Sequence, residues 1–116
     1  MGGCTRWLEW STIQDHPILV AFSPIFGLKV WDVDTLQCQT INLKTRTNFP
    51  VMQMSNSGSL LAIADYKDVL VCDIQTGELF VHEEVRGWKV VRWGPGDDKL
   101  AVINDQHRIL VLDMNQ

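Results

Sequence analysis

A short apolar strand that ends in aspartate recurs through this chain at a nearly fixed interval. The three copies read Gly27-Leu28-Lys29-Val30-Trp31-Asp32-Val33, Asp68-Val69-Leu70-Val71-Cys72-Asp73-Ile74 and Arg108-Ile109-Leu110-Val111-Leu112-Asp113-Met114. The aspartates lie 41 and then 40 residues apart. A period in this range marks a chain assembled from repeated multi-stranded units, each of which buries its apolar faces against its neighbours. Such an architecture points to a binding scaffold and not to a catalyst.

The repeat extends upstream of each aspartate. A second apolar run precedes each copy: Ile18-Leu19-Val20-Ala21-Phe22, Leu60-Leu61-Ala62-Ile63-Ala64 and Leu100-Ala101-Val102-Ile103. A third run lies further back: Trp7-Leu8-Glu9-Trp10, Val51-Met52-Gln53-Met54 and Val90-Val91-Arg92-Trp93. The connectors Ser55-Asn56-Ser57-Gly58-Ser59 and Gly94-Pro95-Gly96-Asp97-Asp98 are turn formers. Glycine accepts positive φ there, and Asn or Asp hydrogen-bonds its own backbone. A fourth run follows the aspartate, at Gln37 to Leu43 and at Leu79 to Val85. No apolar stripe of helical period runs the length of a helix. The apolar residues fall in short runs bounded by Gly, Pro, Asn, Asp and Ser, so the chain reads as all-β.

On these residues the chain resembles a piece of a WD40 repeat protein, a β-propeller. The resemblance runs from about Thr5 onward and rests on Trp31-Asp32, on the degenerate Cys72-Asp73 and Leu112-Asp113, and on the period. The chain departs from the family pattern as well. The Gly-His dipeptide near the start of a repeat is absent. An aspartate in the turn before the Trp-bearing strand is missing from the first unit, where Ile25-Phe26-Gly27 stands, whereas Asp65 and Asp105 could fill that role in the others. The family's His, Ser/Thr, Asp and Trp network is therefore incomplete in every unit. The resemblance implies an incomplete β-propeller of two to three antiparallel blades, each of three or four strands. It implies one partial propeller domain over residues 1–116, in units of roughly 5–43, 49–85 and 87–116. It also implies that Trp31 is buried between blades, so that Trp31→Ala would cost about 3–5 kcal/mol.

A propeller takes four to eight blades, of about 40 to 45 residues each in this family. With 116 residues, the chain supplies fewer than three. The expectation is a fragment of a longer protein, a ring that partners complete, or an open arc; the isolated chain, with uncovered apolar faces and unpaired edges, is expected to recruit a partner, self-associate or aggregate.

The net charge is −4 with both signs interspersed, which disfavours nucleic acid as a partner. Lys44 with Arg46, and Arg86 with Lys89, are local exceptions that read more simply as solvated connectors. They keep an RNA-associated propeller open as an alternative, alongside a truncated fragment without a role of its own. No apolar stretch approaches the roughly 20 residues of a membrane span, and no signal peptide opens the chain. Three cysteines, Cys4, Cys38 and Cys72, give no disulfide framework and no zinc spacing. Cys72 stands where the repeat Trp would, as a small buried filler, and Cys38 reads as a core-facing residue of an outer strand. Met1-Gly2-Gly3-Cys4 resembles an acylated start, but Arg6 occupies the position where that motif wants Ser or Thr. A cytoplasmic or nuclear location follows as the expectation.

Catalytic groupings do not assemble in the sequence. His16, His82 and His107 are isolated, and no Gly-x-Ser-x-Gly elbow occurs. Gly94-Pro95-Gly96-Asp97-Asp98-Lys99 lacks the Gly-Lys-Ser/Thr ending of a phosphate loop, and its aspartates would repel phosphate. The chain is expected to be no enzyme and to hold no cofactor and no metal. In WD40-like propellers partners dock on the rim of one face. The candidate residues mapped onto that rim are Phe26, Tyr66, Lys67, Arg86, Trp88, His107 and Arg108. Aromatic residues and Arg lead binding hot spots, because they bury much area or donate several hydrogen bonds. Partners are expected to be other proteins.

Overall fold

A computed structural model describes residues 7–43, 50–65, 68–82, 88–104 and 106–114. Among these the fold is all-β. Eleven strands occur: β1 (Trp7–Ile13), β2 (His16–Ser23), β3 (Gly27–Asp32), β4 (Cys38–Ile41), β5 (Val51–Met54), β6 (Leu60–Asp65), β7 (Asp68–Asp73), β8 (Leu79–His82), β9 (Trp88–Trp93), β10 (Lys99–Asn104) and β11 (Ile109–Asp113). They form three antiparallel meanders in the orders β1-β2-β3-β4, β5-β6-β7-β8 and β9-β10-β11. The chain divides into two compact units, Met1–Phe49 with the first sheet and Pro50–Gln116 with the other two.

The first two of the recurring aspartates end their strands with a carboxylate that closes the turn that follows. Asp32 Oδ1 accepts the backbone N–H of Asp34 at 2.9 Å and of Thr35 at 3.1 Å. Asp73 Oδ1 does the same for Gln75 and Thr76 at 2.9 and 3.2 Å. Each turn is locked further by the N–H of Leu36 on the Asp32 carbonyl, or of Gly77 on the Asp73 carbonyl, at 2.7 Å in both cases. The residue at that point must turn left-handed, and Gly77 does so at φ 82° without strain. Leu36 is held at φ 62° in the equivalent place.

In the first sheet, cross-strand register places Trp10, Leu19, Trp31 and Cys38 in one row on one face. Leu8, Ala21, Lys29 and Thr40 form the next row of that face. The opposite face carries Ile18, Val20, Phe22, Leu28, Val30 and Ile41, all buried. Burial of a Val, Leu, Ile or Phe side chain contributes about 1.5–3 kcal/mol, so this face anchors the sheet. Trp31 does not share it. The strand alternates, Val30 takes the buried side, and Trp31 is 38% exposed. That corrects the expectation of a buried indole: its own face is left open, with Trp10 64% and Leu8 58% exposed beside it. Cys38, in the same row, is also exposed and not core-facing.

The first hairpin is longer than the sequence pattern suggests. Strand β1 runs on to Ile13, and β2 starts at His16. Between them, Gln14 and Asp15 both have positive φ, 50° and 67°. Two left-handed residues in a two-residue loop are the requirement of a type I′ hairpin turn.

In the second unit the two sheets pack face to face. Ala62, Ala64, Val69 and Val71 of one meet Val91, Leu100 and Val102 of the other. Val51, Leu60, Trp93, Leu110, Leu112 and Met114 pack around this core. The other face of β5–β8 is buried as well, through Leu61, Ile63, Leu70 and Cys72.

Candidate interaction surfaces

The polar groups that join the two sheets of the second unit lie at the turn and first strand of each. The indole N–H of Trp93 donates to the backbone carbonyl of Gln53 at 3.0 Å. The Arg92 guanidinium donates to the Gln53 side-chain carbonyl at 2.9 Å. One end of the interface is closed by Asp97, whose two carboxylate oxygens accept the backbone N–H groups of Asn56 at 2.9 Å and Ser57 at 2.8 Å. The Asn56 amide returns a bond to the Gly94 carbonyl at 2.8 Å. Partial desolvation opposes the Asp97 charge, but the bonds from Ser57 and Asn56 outweigh it and hold its carboxyl below the usual aspartate value. The turn that resembled a failed phosphate loop is thus a structural clamp.

The rim candidates are scattered. Phe26 sits exposed in the β2–β3 turn, with the Lys29 ammonium 5.6 Å from its ring centroid. That turn is set by Ser23, whose hydroxyl accepts the N–H of Ile25 and of Phe26 at 3.3 and 3.4 Å. Ser23 therefore fills the turn-holding role for which the sequence offered no aspartate. Gly27 ends the turn at φ 83°, and a Cβ there would lie 2.7 Å from the Ile41 carbonyl oxygen. His107 and Arg108 are exposed in the β10–β11 turn, His107 at φ 61°. Tyr66, Lys67 and Arg86 lie outside the described residues, as do Cys4 with its Met1-Gly2-Gly3 neighbours and the Lys44/Arg46 loop. Trp88 opens strand β9.

The larger exposed features fall on sheet faces. One is the Leu8, Trp10, Leu19 and Trp31 face of the first sheet. The other is the outward face of β9–β11, where Val111 is 56% and Ile109 69% exposed. Contiguous exposed apolar side chains of this kind mark contact surfaces more often than scattered ones do. The sequence led to the expectation of uncovered apolar faces, but its candidate site residues were drawn from loops and not from these two faces.

An open cavity of about 340 Å³ lies in the first sheet, lined by Ile13, His16, Ile18, Val30, Asp32 and Cys38 among others. Near its mouth His16 Nδ1 stands 3.6 Å from Asp34 Oδ2, both well exposed. A solvated pair at this distance is weak. Cys72 is fully buried, and burial together with the adjacent Asp73 charge pushes its thiol up to about 11. Its sulfur is a packing atom and not a nucleophile at neutral pH. No helix among the described residues is long and apolar enough to cross a membrane.

No family model and no curated protein matches the chain. Solved structures do. A crystal structure described as the extracellular domain of a hybrid two-component system from B. thetaiotaomicron superposes with a TM-score of 0.63 at 17% identity. The match covers 94% of this chain but only 17% of that one, so the likeness is one of fold, to a short portion of a far larger protein.

Proposed function

We propose that this chain is a segment of a WD40-like propeller, an incomplete one, that acts as a non-catalytic scaffold for protein–protein contact. The observation that carries the reading is the open face of the first sheet, where Leu8, Trp10 and Trp31 stand exposed on regular strands. Tryptophans on a rigid strand offer large contact area at little conformational cost. The face-to-face stacking of β5–β8 on β9–β11, one face of the first against the opposite face of the second, supports a blade-like arrangement. The exposed free thiol of Cys38 suits a reducing compartment, the cytoplasm or nucleus. Exposed Phe26, in the β2–β3 turn of the same sheet, is a further candidate contact.

The test is photo-cross-linking from a benzoylphenylalanine placed at Trp10, with the same group at exposed Gln75 as control. Protein adducts specific to the Trp10 position and resistant to ribonuclease support the scaffold. RNA adducts that fall steeply with salt would favour phosphate contact instead. Equal yields from the two positions would overturn the reading.

A further inference from the structure

We propose that the open face of the first sheet seats on the outward face of β9–β11 of a second copy, head to tail. This rests on the reading of these faces as contact surfaces and names their occupant. The argument is that the two faces are the separated halves of an interface the chain already contains.

The sheet β9–β11 meets its neighbour with the row Trp93, Leu100 and Leu112. At the same register positions the first sheet carries Trp10, Leu19 and Trp31. The receiving sheet β5–β8 presents the rows Gln53, Ala62, Val71 and Val51, Ala64, Val69. The outward face of β9–β11 carries Arg92, Ala101, Val111 and Val90, Ile103, Ile109 in those places. The Ala–Val pair that receives the core, Ala62 beside Val71, thus recurs as Ala101 beside Val111. One open face resembles the incoming half of the interface, and the other resembles its receiving half. Neither resembles itself, so the fitting partner is the opposite face of another copy.

The polar positions agree. The indole of Trp10 takes the place of Trp93, with the Arg92 backbone carbonyl in place of that of Gln53. Where Arg92 now donates to the Gln53 side chain, the equivalent pair across two copies is Glu9 and Arg92. A neutral hydrogen bond is replaced there by opposite charges, and a guanidinium has donors to spare beyond its bonds to Gln53 and to the Val91 carbonyl. One feature is not reproduced. Pro95 stands at the position of Asn56 and has no N–H to give an acidic clamp. The contact between copies is therefore weaker than the internal one, and reversible. Because it is heterologous, each copy uses both faces, and copies join head to tail into a closed ring or an open chain according to the rotation per copy.

The experiment is sedimentation of the purified chain over a concentration series, with Trp10→Arg and Val111→Arg variants whose folding is checked by circular dichroism. The wild type is expected to grow in mass with concentration. Each variant alone is expected to be monomeric, because one of its two faces is blocked. Their equimolar mixture is expected to form a dimer and nothing larger, joined through the two intact faces. As a second measurement, Glu9→Arg and Arg92→Glu are each expected to lower the association constant about tenfold, and the two together to restore it. A folding defect would not give that rescue. A Val111→Arg chain that still self-associates would show face-to-face pairing and overturn the proposal. So would a mixture that stays monomeric. A wild type that is monomeric throughout also overturns it and leaves the Trp10 face to another protein, in which case cross-links from Trp10 still decide the scaffold reading by themselves.

Discussion

Trp93 and Gln53 are bonded across the two sheets of the second unit: the indole N–H donates to the backbone carbonyl at 3.0 Å. The bond ties the first strand of one sheet to the first strand of the other, at the rim of their shared apolar core. It fixes the lateral position of sheets whose aliphatic contacts are not directional.

Trp93→Phe keeps most of the ring and removes the donor. The expected cost is about 1–2 kcal/mol, the penalty of leaving a partly buried carbonyl unpaired. Equilibrium urea unfolding measures it, and an unchanged midpoint would mean that water replaces the indole without loss.

Asp97 makes the same interface sensitive to acid. Its carboxyl titrates below the ordinary value of 3.8 in the folded chain. The native state therefore binds fewer protons than the unfolded one. Its stabilisation is complete above the unfolded value and disappears as pH falls through the folded one. Asp97→Asn retains an acceptor but no charge. The stability gap between wild type and Asp97→Asn is expected to stay constant between about pH 7 and about pH 5 and to narrow below about pH 4. A gap that does not change in acid would deny the clamp its charge.

Leu36→Gly is expected to stabilise the chain. Leu36 is exposed and held at φ 62° where Gly77 serves in the second sheet. The left-handed conformation costs a non-glycine residue about 1–2 kcal/mol. Glycine's larger unfolded-state entropy takes back about 0.5–1 kcal/mol. A net gain of roughly 0.5 kcal/mol in thermal or urea unfolding is the expected result, and a loss would locate unrecognised packing at Leu36.

Cys38 and Cys72 should separate cleanly by reactivity. In a Cys4→Ser background, Cys38 is expected to react at once with an aromatic disulfide reagent. Cys72, buried and with its thiol pushed to about 11, is expected to react only on unfolding. Rapid reaction of both thiols in the native state would show that the β7 core opens readily.

The strand positions were legible because alternation and turn chemistry are local properties: the aspartates, the Ser55–Ser59 turn and the Gly94–Asp98 turn all act within a few residues. Which face of a strand is covered is not local. The sequence around Trp31 is as suited to burial as that around Leu112, yet Trp31 lies on an open face, so Trp31→Ala should cost less than a core tryptophan would. The Gln14-Asp15 hairpin escaped notice for a different reason. It achieves two positive φ values without Asn or Gly, and Asp15 alone is a weaker turn signal than the Ser- and Gly-rich clusters elsewhere. Of the rim residues, Phe26 was recognisable as a turn aromatic, equally suited to packing between blades, but its exposure and the Ser23 hydroxyl that holds its turn were not. The polar side chains joining sheet to sheet, Gln53 and Asp97, became evident only with strand register in hand.

The turns after Asp32 and Asp73 carry a consequence for how far the sequence can vary. Apart from the aspartate, a threonine whose hydroxyl accepts the N–H of Gln37 or Glu78, and a residue able to turn left-handed, the bonds in them are supplied by backbone amides and carbonyls, which any amino acid brings. A corner built this way can exchange most of its letters by drift and keep its shape. A fold with such corners can be shared by chains whose letters scarcely agree, as a superposition at 17% identity illustrates.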